Sequence, residues 1–189
     1  MKRNAVLGVL ALVFGIVSAW FGVTMVAANP GGEEPIVALR QQTMKTIAAA
    51  AKTIAGMFEG TQPYDRAKFA ASAEAIYGAA TALGEQFAPD TLGAPSAARV
   101  EIATNRADFD EIAEQLEKLA GALAASARNA PTSLTGDMRM QSGGTGLGGS
   151  LFASRQKEND PASMPVEHVF HLVLQTCSDC HAKFRLKGQ

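Results

Sequence analysis

The sequence is poor in several residue types, and each shortage excludes a class of protein. Only two of its 189 residues are cysteines, three are histidines, and aromatic residues make up 6%. A structural zinc site usually takes four Cys or His ligands in two pairs, and His168 and His171 do not stand at a usual pair spacing. The formal net charge of -1 provides no overall field that favours nucleic acid. Zinc-stabilised and nucleic-acid-binding folds are therefore not expected.

β-branched residues are sparse outside the N-terminal segment, whereas alanine is very abundant. Alanine, leucine and glutamate favour helices, so we expect an all-α fold in which small side chains let the helices approach closely. No nucleophile–base pair and no pair of acid–base carboxylates stands out. We therefore expect a protein that is not an enzyme, and no catalytic residue is assigned.

Both cysteines fall in one run near the C-terminus, Cys177-Ser178-Asp179-Cys180-His181. Thiols three positions apart lie on one face of a helix, so both can form thioethers to haem vinyl groups while the adjacent imidazole ligates the iron. The run predicts one covalent haem c, attached through Cys177 and Cys180, with His181 as an axial ligand. A redox cysteine pair and another metal site are the alternatives. A thioredoxin-type pair needs a βαβ setting that this chain does not show.

The N-terminus contains a long uncharged segment. After Lys2 and Arg3, residues 5–28 form 24 positions without a charge, which is long enough to span a bilayer. Val26-Ala27-Ala28 also has the small residues that a signal peptidase accepts. Residues 1–28 are therefore interpreted as a membrane anchor or a cleaved signal peptide, followed by a tether at 29–34. Both interpretations place the rest of the chain in the bacterial periplasm, where haem is attached to such runs.

Four later segments repeat apolar residues with helical spacing. They run from about Pro35 to Met57, from Asp65 to Phe87, from about Ala107 to Arg128, and from Pro165 to about Lys187. Asp65 is the expected N-terminal cap or first-turn acid of the second segment. This pattern predicts an antiparallel up-down four-helix bundle over residues 35–189, in addition to the N-terminal hydrophobic helix. Both cysteines lie on the apolar seam of the fourth segment, which directs an attached haem into the bundle.

The connection before the fourth helix, about residues 130–164, is much longer than the 2–8 residues or so that usually join helices of a bundle. Its centre is rich in glycine and serine, as in a flexible linker. We interpret it as a surface insert. The alternative is a segment that docks a partner or covers the haem through Met138, Met140, Leu147, Leu151 and Phe152.

These segments resemble the cytochrome c′ family of single-haem four-helix bundles. The resemblance is carried by Leu39-Arg40-Gln41-Gln42-Thr43-Met44-Lys45, Pro63-Tyr64-Asp65, Glu101-Ile102-Ala103 with Ala107-Asp108-Phe109, and Cys177-Ser178-Asp179-Cys180-His181-Ala182-Lys183-Phe184-Arg185. There are three departures from the family pattern. Ala103 stands where many members have tryptophan, the glycine-rich insert is foreign to the family, and an N-terminal anchor is unusual for it.

The resemblance implies a role for several residues around the haem. His181 is the proximal ligand, Arg185 supports that side, Arg40 lies close to a haem propionate, and Met44 lies over the distal face. For Arg40 the alternative is an ordinary solvated charge on a helix. For Met44 it is simple filling of the core, because methionine adapts to irregular gaps.

Two states of the iron follow from what Met44 does. If Met44 only packs above the iron, the haem is five-coordinate and high-spin, and nitric oxide or carbon monoxide can enter an apolar pocket that includes Ile36. If the sulfur binds, the haem is a six-coordinate His/Met site suited to electron transfer. We expect the five-coordinate form, with the six-coordinate form as the alternative.

The expected partners follow from these two states. They are a small gaseous ligand or a redox protein, and the membrane if residues 5–28 are retained, but no nucleic acid. A homodimer is also among the expectations, and a weaker alternative is a tethered haem subunit of a larger redox complex. The cations Lys183, Arg185 and Lys187 form either a basic rim for an acidic redox partner or a favourable end to a helix.

Overall fold

The computed structural model describes residues 35–92, 95–140 and 160–187, which form an all-α structure. Six α-helices lie in these residues: α1 Pro35–Glu59, α2 Arg66–Thr81, α3 Leu83–Gln86, α4 Glu101–Thr104, α5 Arg106–Arg128 and α6 Val166–Phe184. Short 3-10 turns occur at Pro89–Thr91, Gly136–Met138 and Pro161–Ser163. Within the described ranges the one strand-like pairing is an isolated antiparallel bridge between Ala98 and Arg185.

The four long helices α1, α2, α5 and α6 pack against one another in chain order. Ring contacts show their directions. Phe58, near the end of α1, lies 6.0 Å from Phe69 near the start of α2 and 6.1 Å from Phe170 near the start of α6, measured between ring centroids. Phe109, near the start of α5, lies 5.5 Å from Phe184 at the end of α6. The helices therefore alternate in direction, which confirms the predicted antiparallel up-down bundle.

The ends of the helices follow from local chemistry. Gly60 ends α1 with a φ of 73°, a left-handed conformation that glycine adopts without steric cost. Asp65 caps α2, as predicted, because its carboxylate accepts a hydrogen bond of 3.0 Å from the backbone N–H of Lys68. The periodic segment predicted up to Phe87 divides after Thr81 into α2 and α3.

The last helix is shorter than the sequence predicts. It ends at Phe184 rather than near Lys187 because the following residues pair with another segment. The N–H of Arg99 donates to the Phe184 carbonyl at 2.9 Å, and the N–H of Leu186 donates to the Ala97 carbonyl at 2.9 Å. These bonds attach the chain end to the segment before α4.

Buried side chains form two clusters. The larger contains Phe58, Phe69 and Phe170, where α1 ends and α6 begins, and we call this region the closed end. The smaller is built on Ile102, Phe109 and Phe184 near the Cys-x-x-Cys-His run, and we call this region the motif end. Burial of one phenylalanine side chain stabilises the folded state by about 1.5–3 kcal/mol. Because the larger cluster buries more apolar side chains, the closed end contributes much of the apolar stabilisation.

The described edges of the predicted insert are ordered parts of the closed end. Met138 is 6% exposed and packs in the larger cluster, so the alternative in which it contacts a partner or covers the haem is wrong. Arg139 donates a hydrogen bond of 2.6 Å to the Phe58 carbonyl, and the N–H of Met140 donates to the Glu167 carboxylate at 2.6 Å. Since Phe58 and Glu167 belong to the closed end, these edges lie away from the cysteines.

Within residues 35–92, 95–140 and 160–187, no helix combines the length and the apolar character needed to cross a bilayer. The predicted N-terminal segment 1–28 and the tether 29–34 lie outside the described residues. So does the glycine-rich centre of the insert, with Leu147, Leu151 and Phe152.

Candidate haem site at the motif end

The two cysteines lie at the boundary between core and surface on α6. Cys177 and Cys180 are both free and half-buried. Cys177 packs against the larger apolar cluster and Cys180 against the smaller one. They are one helical turn apart, so their thiols share a face that meets both clusters. A group bonded to both sulfurs would be in contact with apolar side chains on one side and would remain reachable from solvent.

The environment of this face favours neutral side chains. Burial raises the pKa of Cys177, and burial together with the neighbouring Cys177 raises the pKa of Cys180 to about 11. The pKa of His181 is lowered, first by partial burial of its ring and then by the positive charge of Arg185, although the residue as a whole is exposed. A neutral imidazole is the form that ligates a metal, so the surroundings prepare His181 for this role.

Arg40 is buried on α1. It is 3% exposed, which shows that the alternative of a solvated helix charge is wrong. Its Nε donates to the Gln86 carbonyl at 2.6 Å, one terminal nitrogen donates to the Thr91 hydroxyl, and its guanidinium carbon lies 4.7 Å from the centroid of the Phe87 ring. Phe87 in turn packs on Phe109, whose ring meets Phe184. A row of three rings thus connects Arg40 to the helix of the cysteines.

The charge of Arg40 is not balanced by an anion in the described part of the chain. No carboxylate there lies within ion-pair distance of it, and its buried Nη1 has no hydrogen-bond partner among the described residues. Burial lowers the pKa of Arg40, yet arginine stays charged in proteins. An unpaired buried charge is costly. An anionic group beside Nη1, such as a haem propionate, fits this arrangement.

Met44 follows Arg40 by one helical turn on α1. It is half-buried and packs against the larger apolar cluster, which also receives Cys177. Ile36, one turn before Arg40, is half-buried as well. Ile36, Arg40 and Met44 therefore form one side of α1 with spacings of four residues, as the helical repeat requires.

The cations after the motif do not form a uniformly positive surface. Lys183 forms an ion pair with Asp108 of α5, and both side chains are about half exposed. Asp179 and Glu111 line the same groove between α5 and α6. Because carboxylates accompany the lysine, the prediction of a basic rim is weakened on this side of the bundle.

His168 is half-buried and His171 is exposed, and the described residues contain no group of three or more potential metal ligands of the His, Cys, Asp and Glu types.

A sequence model of the family described as Cytochrome C′ matches residues 35–145, more than half of the chain. The chain belongs to the cytochrome c′ family. This confirms the resemblance seen in the sequence. Cytochromes c′ carry a covalently bound haem c, so the predicted cofactor is confirmed as well. No curated protein matches the chain by sequence.

Solved structures of cytochromes c′ share the fold. Cytochrome c prime from Shewanella frigidimarina is similar with a TM-score of 0.59 and 20% identity, over 82% of this chain and 99% of that one. A mutant of the Rhodopseudomonas palustris cytochrome c′ has a TM-score of 0.56 and 25% identity, over 82% and 100% of the two chains. A variant of the Alcaligenes xylosoxidans protein, ferrous with bound nitric oxide, has a TM-score of 0.56 and 20% identity, over 80% and 94%.

Sequence reasoning missed three residues that contact Arg40 in this cytochrome c′ fold. Gln86, Phe87 and Thr91 follow Arg40 by about fifty positions, at and just beyond the predicted end of the second helical segment. The one available signal in the sequence was an arginine between Ile36 and Met44 on one helix side, with no acidic residue at helical spacing. Such an arginine needs acceptors from elsewhere in the chain.

Proposed function

We propose that this protein is an exported cytochrome c′ that holds one five-coordinate haem and binds small gases such as nitric oxide or carbon monoxide, with electron transfer as an accompanying capacity. The observation that carries the proposal is the buried Arg40, whose Nη1 has no partner in the described chain, on the helix that bears Met44. When bound, the haem supplies an iron that changes between ferric and ferrous and accepts a gaseous ligand. The protein is a binding and redox protein rather than an enzyme.

In this proposal each residue has a definite task. Cys177 and Cys180 hold the haem by thioethers from the half-buried face of α6. His181 binds the iron through its imidazole, whose pKa is lowered first by burial and then by the positive charge of Arg185. Arg40 compensates a propionate with the nitrogen that otherwise lacks a partner.

The five-coordinate state is supported by the surroundings of Met44. Its side chain packs against the apolar cluster, so it serves as a bulky wall and does not need to bind the iron to be satisfied. The half-buried apolar side chains of Ile36 and Met44 on this side of α1 favour small, weakly polar gases. The Alcaligenes xylosoxidans relative, solved with bound nitric oxide, makes this gas the first ligand to test.

The second candidate is a six-coordinate His/Met cytochrome that transfers electrons. The observation that favours it is the thioether of Met44, a ligand type that raises the reduction potential, one turn from Arg40. In that case the partner is a redox protein that approaches the motif end.

We further propose that the chain acts in the periplasm as a membrane-associated domain. Residues 5–28 anchor it, residues 29–34 form the tether, and residues 35–189 form the haem domain. The support is the uncharged length of the N-terminal segment, which follows two basic residues. Mass spectrometry of the native N-terminus tests this, because a chain that begins after Ala28 would show a cleaved signal peptide.

An optical and EPR spectrum of the purified ferric holoprotein tests the coordination. We expect a high-spin spectrum that changes on addition of nitric oxide to the ferrous protein. Met44→Leu, which keeps the volume but removes the sulfur, should leave the ferric spectrum high-spin. Met57→Leu, in the same helix at the closed end, is the matched control. A low-spin spectrum with a methionine-to-iron charge-transfer band that disappears in Met44→Leu alone would establish the six-coordinate form instead.

A further inference from the structure

The segment that follows α3 forms a fitted support for Arg40. Three different groups hold the guanidinium. The Gln86 carbonyl accepts a hydrogen bond of 2.6 Å from Nε, and the Thr91 hydroxyl accepts one from a terminal nitrogen. The centroid of the Phe87 ring lies 4.7 Å from the guanidinium carbon. The guanidinium is planar, with its donors in a rigid fork. Contacts on its plane and along two of its nitrogens therefore determine where the remaining nitrogen, Nη1, points.

Thr91 is oriented for this contact by its own hydrogen bond. Its hydroxyl donates to the Ala88 carbonyl at 2.7 Å within the turn Pro89–Thr91. A hydroxyl has a single hydrogen, so the one that is used on Ala88 leaves only lone pairs to face Arg40. Thr91 is thus held as an acceptor for a cation, and the turn that carries it is half-buried at this position.

Arg106 shows what a purely structural arginine looks like in the same region. It donates to the Phe87 carbonyl at 2.8 Å and the Gly84 carbonyl at 3.1 Å, and it pairs with Asp110 at 2.8 Å. It also lies 5.2 Å from the centroid of the Phe109 ring. Asp110 balances its charge and each of its three side-chain nitrogens has a hydrogen-bond partner, in contrast to Arg40. The two arginines bind neighbouring carbonyls, but only Arg40 retains a donor for an external anion.

We propose that Thr91 is a positioning residue that orients Arg40, so that Nη1 is presented to the carboxylate of a haem propionate. The inference rests on the proposed function, because it takes the propionate as the anion beside Arg40. Thr91 acts through Arg40 and does not itself need to touch the haem. Loss of the Thr91 hydroxyl leaves the positive charge of Arg40 in the protein. Nη1 is then no longer held in the orientation that faces the propionate.

The test uses the full-length holoprotein and two measurements: the midpoint potential at neutral pH, and the propionate bending modes in the resonance Raman spectrum, which report hydrogen bonding to the propionates. Arg40→Gln removes the charge and should lower the potential, because a nearby cation disfavours the ferric state. Thr91→Val should lower the potential by a smaller amount and shift the same Raman modes. Thr91→Ser keeps the hydroxyl and should leave both measurements close to those of the native protein. Thr81→Val removes a hydroxyl that donates to the Gly78 carbonyl of its own helix, and this variant should change neither measurement.

The outcomes separate the two claims. If Arg40→Gln shifts both measurements and Thr91→Val shifts neither, Thr91 does not position Arg40, while the role of Arg40 stands. If Arg40→Gln also shifts neither, the placement of Arg40 beside a propionate in the proposed function is wrong, and the inference is overturned with it. Should Thr91→Val fail to yield holoprotein, Thr91→Ala removes the hydroxyl with less steric change and is judged by the same criteria.

Discussion

The closed end and the motif end of this bundle are built differently. At the closed end, Phe69 and Phe170 are at most 2% exposed, and Met138 closes the cluster from the connection before α6. At the motif end, the buried cluster is small, both cysteines are only half-buried, and Arg40 retains a nitrogen without a partner in the described chain. Stability is concentrated at the closed end, where the side chains of the protein fill the core by themselves. Function is expected where the packing requires a further group.

This difference has a physical reason. A core composed only of side chains reaches its best density without outside help. A site for a large planar cofactor leaves apolar surface uncovered until the cofactor binds, and here the buried Nη1 of Arg40 also lacks a partner in the described chain. The following changes test whether the two ends separate in this way.

The largest effect is expected from removal of both thiols. The double variant Cys177→Ala, Cys180→Ala should carry no covalent haem, because both thioether-forming groups are lost. The mass of the intact, acid-denatured protein measures this directly. Ser178→Ala is the matched control: this residue lies between the cysteines, and its hydroxyl donates to the Leu174 carbonyl of the same helix at 3.0 Å. Covalent haem in the double variant would contradict the assignment of the site.

Removal of a buried aromatic ring should affect stability at both ends of the bundle but the haem spectrum only at the motif end. Phe69→Ala and Phe109→Ala each remove a buried ring, and each should lower the free energy of unfolding of the holoprotein by about 3–5 kcal/mol. Denaturant unfolding measures this loss. Only Phe109→Ala should also change the haem absorption spectrum, since Phe109 packs between Phe87 and Phe184. An equal spectral change in both variants would remove the distinction between the ends.

The methionines at the edge of the insert offer a sharper comparison. Met138 is buried, so Met138→Ala should lower the free energy of unfolding by about 2–5 kcal/mol. Met140 is 43% exposed, and Met140→Ala should stay within about 0.5 kcal/mol of the native protein. The comparison uses urea midpoints at constant slope. Equal losses would mean that Met138 is not part of the closed end.

The smallest effect is expected at the start of α2. The hydrogen bond from the Lys68 N–H is the main cause that holds the pKa of Asp65 below its ordinary value. A depressed folded-state pKa contributes stability at neutral pH, and this contribution is lost as the pH falls through that pKa. Asp65→Ala should therefore lower the thermal midpoint slightly at neutral pH, and the difference from the native protein should shrink below about pH 4.

Asp65→Ser is the control for this last prediction, because serine keeps a capping oxygen but carries no charge. Its difference from the native protein should be smaller at neutral pH than that of Asp65→Ala. Thermal unfolding followed by circular dichroism measures all three proteins. If the loss in Asp65→Ala were unchanged in acid, the carboxylate charge would not contribute to the cap.

Much of the bundle could be predicted because local patterns encode it. The apolar spacing of α5 predicted a start near Ala107, and the helix begins at Arg106. The carboxylate of Asp65 predicted the N-cap of α2, and the structure confirms it. Predictions failed where distant residues compete for the same backbone. The helix α6 was predicted to end near Lys187 but ends at Phe184, because the residues at the chain end form hydrogen bonds with Ala97 and Arg99.

The sequence by itself determined the all-α class, the order of the four helices, and the run that attaches a haem, because each depends on the spacing of residues that are close in the chain. Only the tertiary structure decided how Arg40 is held, since its partners Gln86 and Thr91 lie 46 and 51 positions away. It also placed Met138 in the core and paired Lys183 with Asp108. Hydrogen bonds, ion pairs and burial depend on which segments meet in space, and no local repeat in the sequence carries that information.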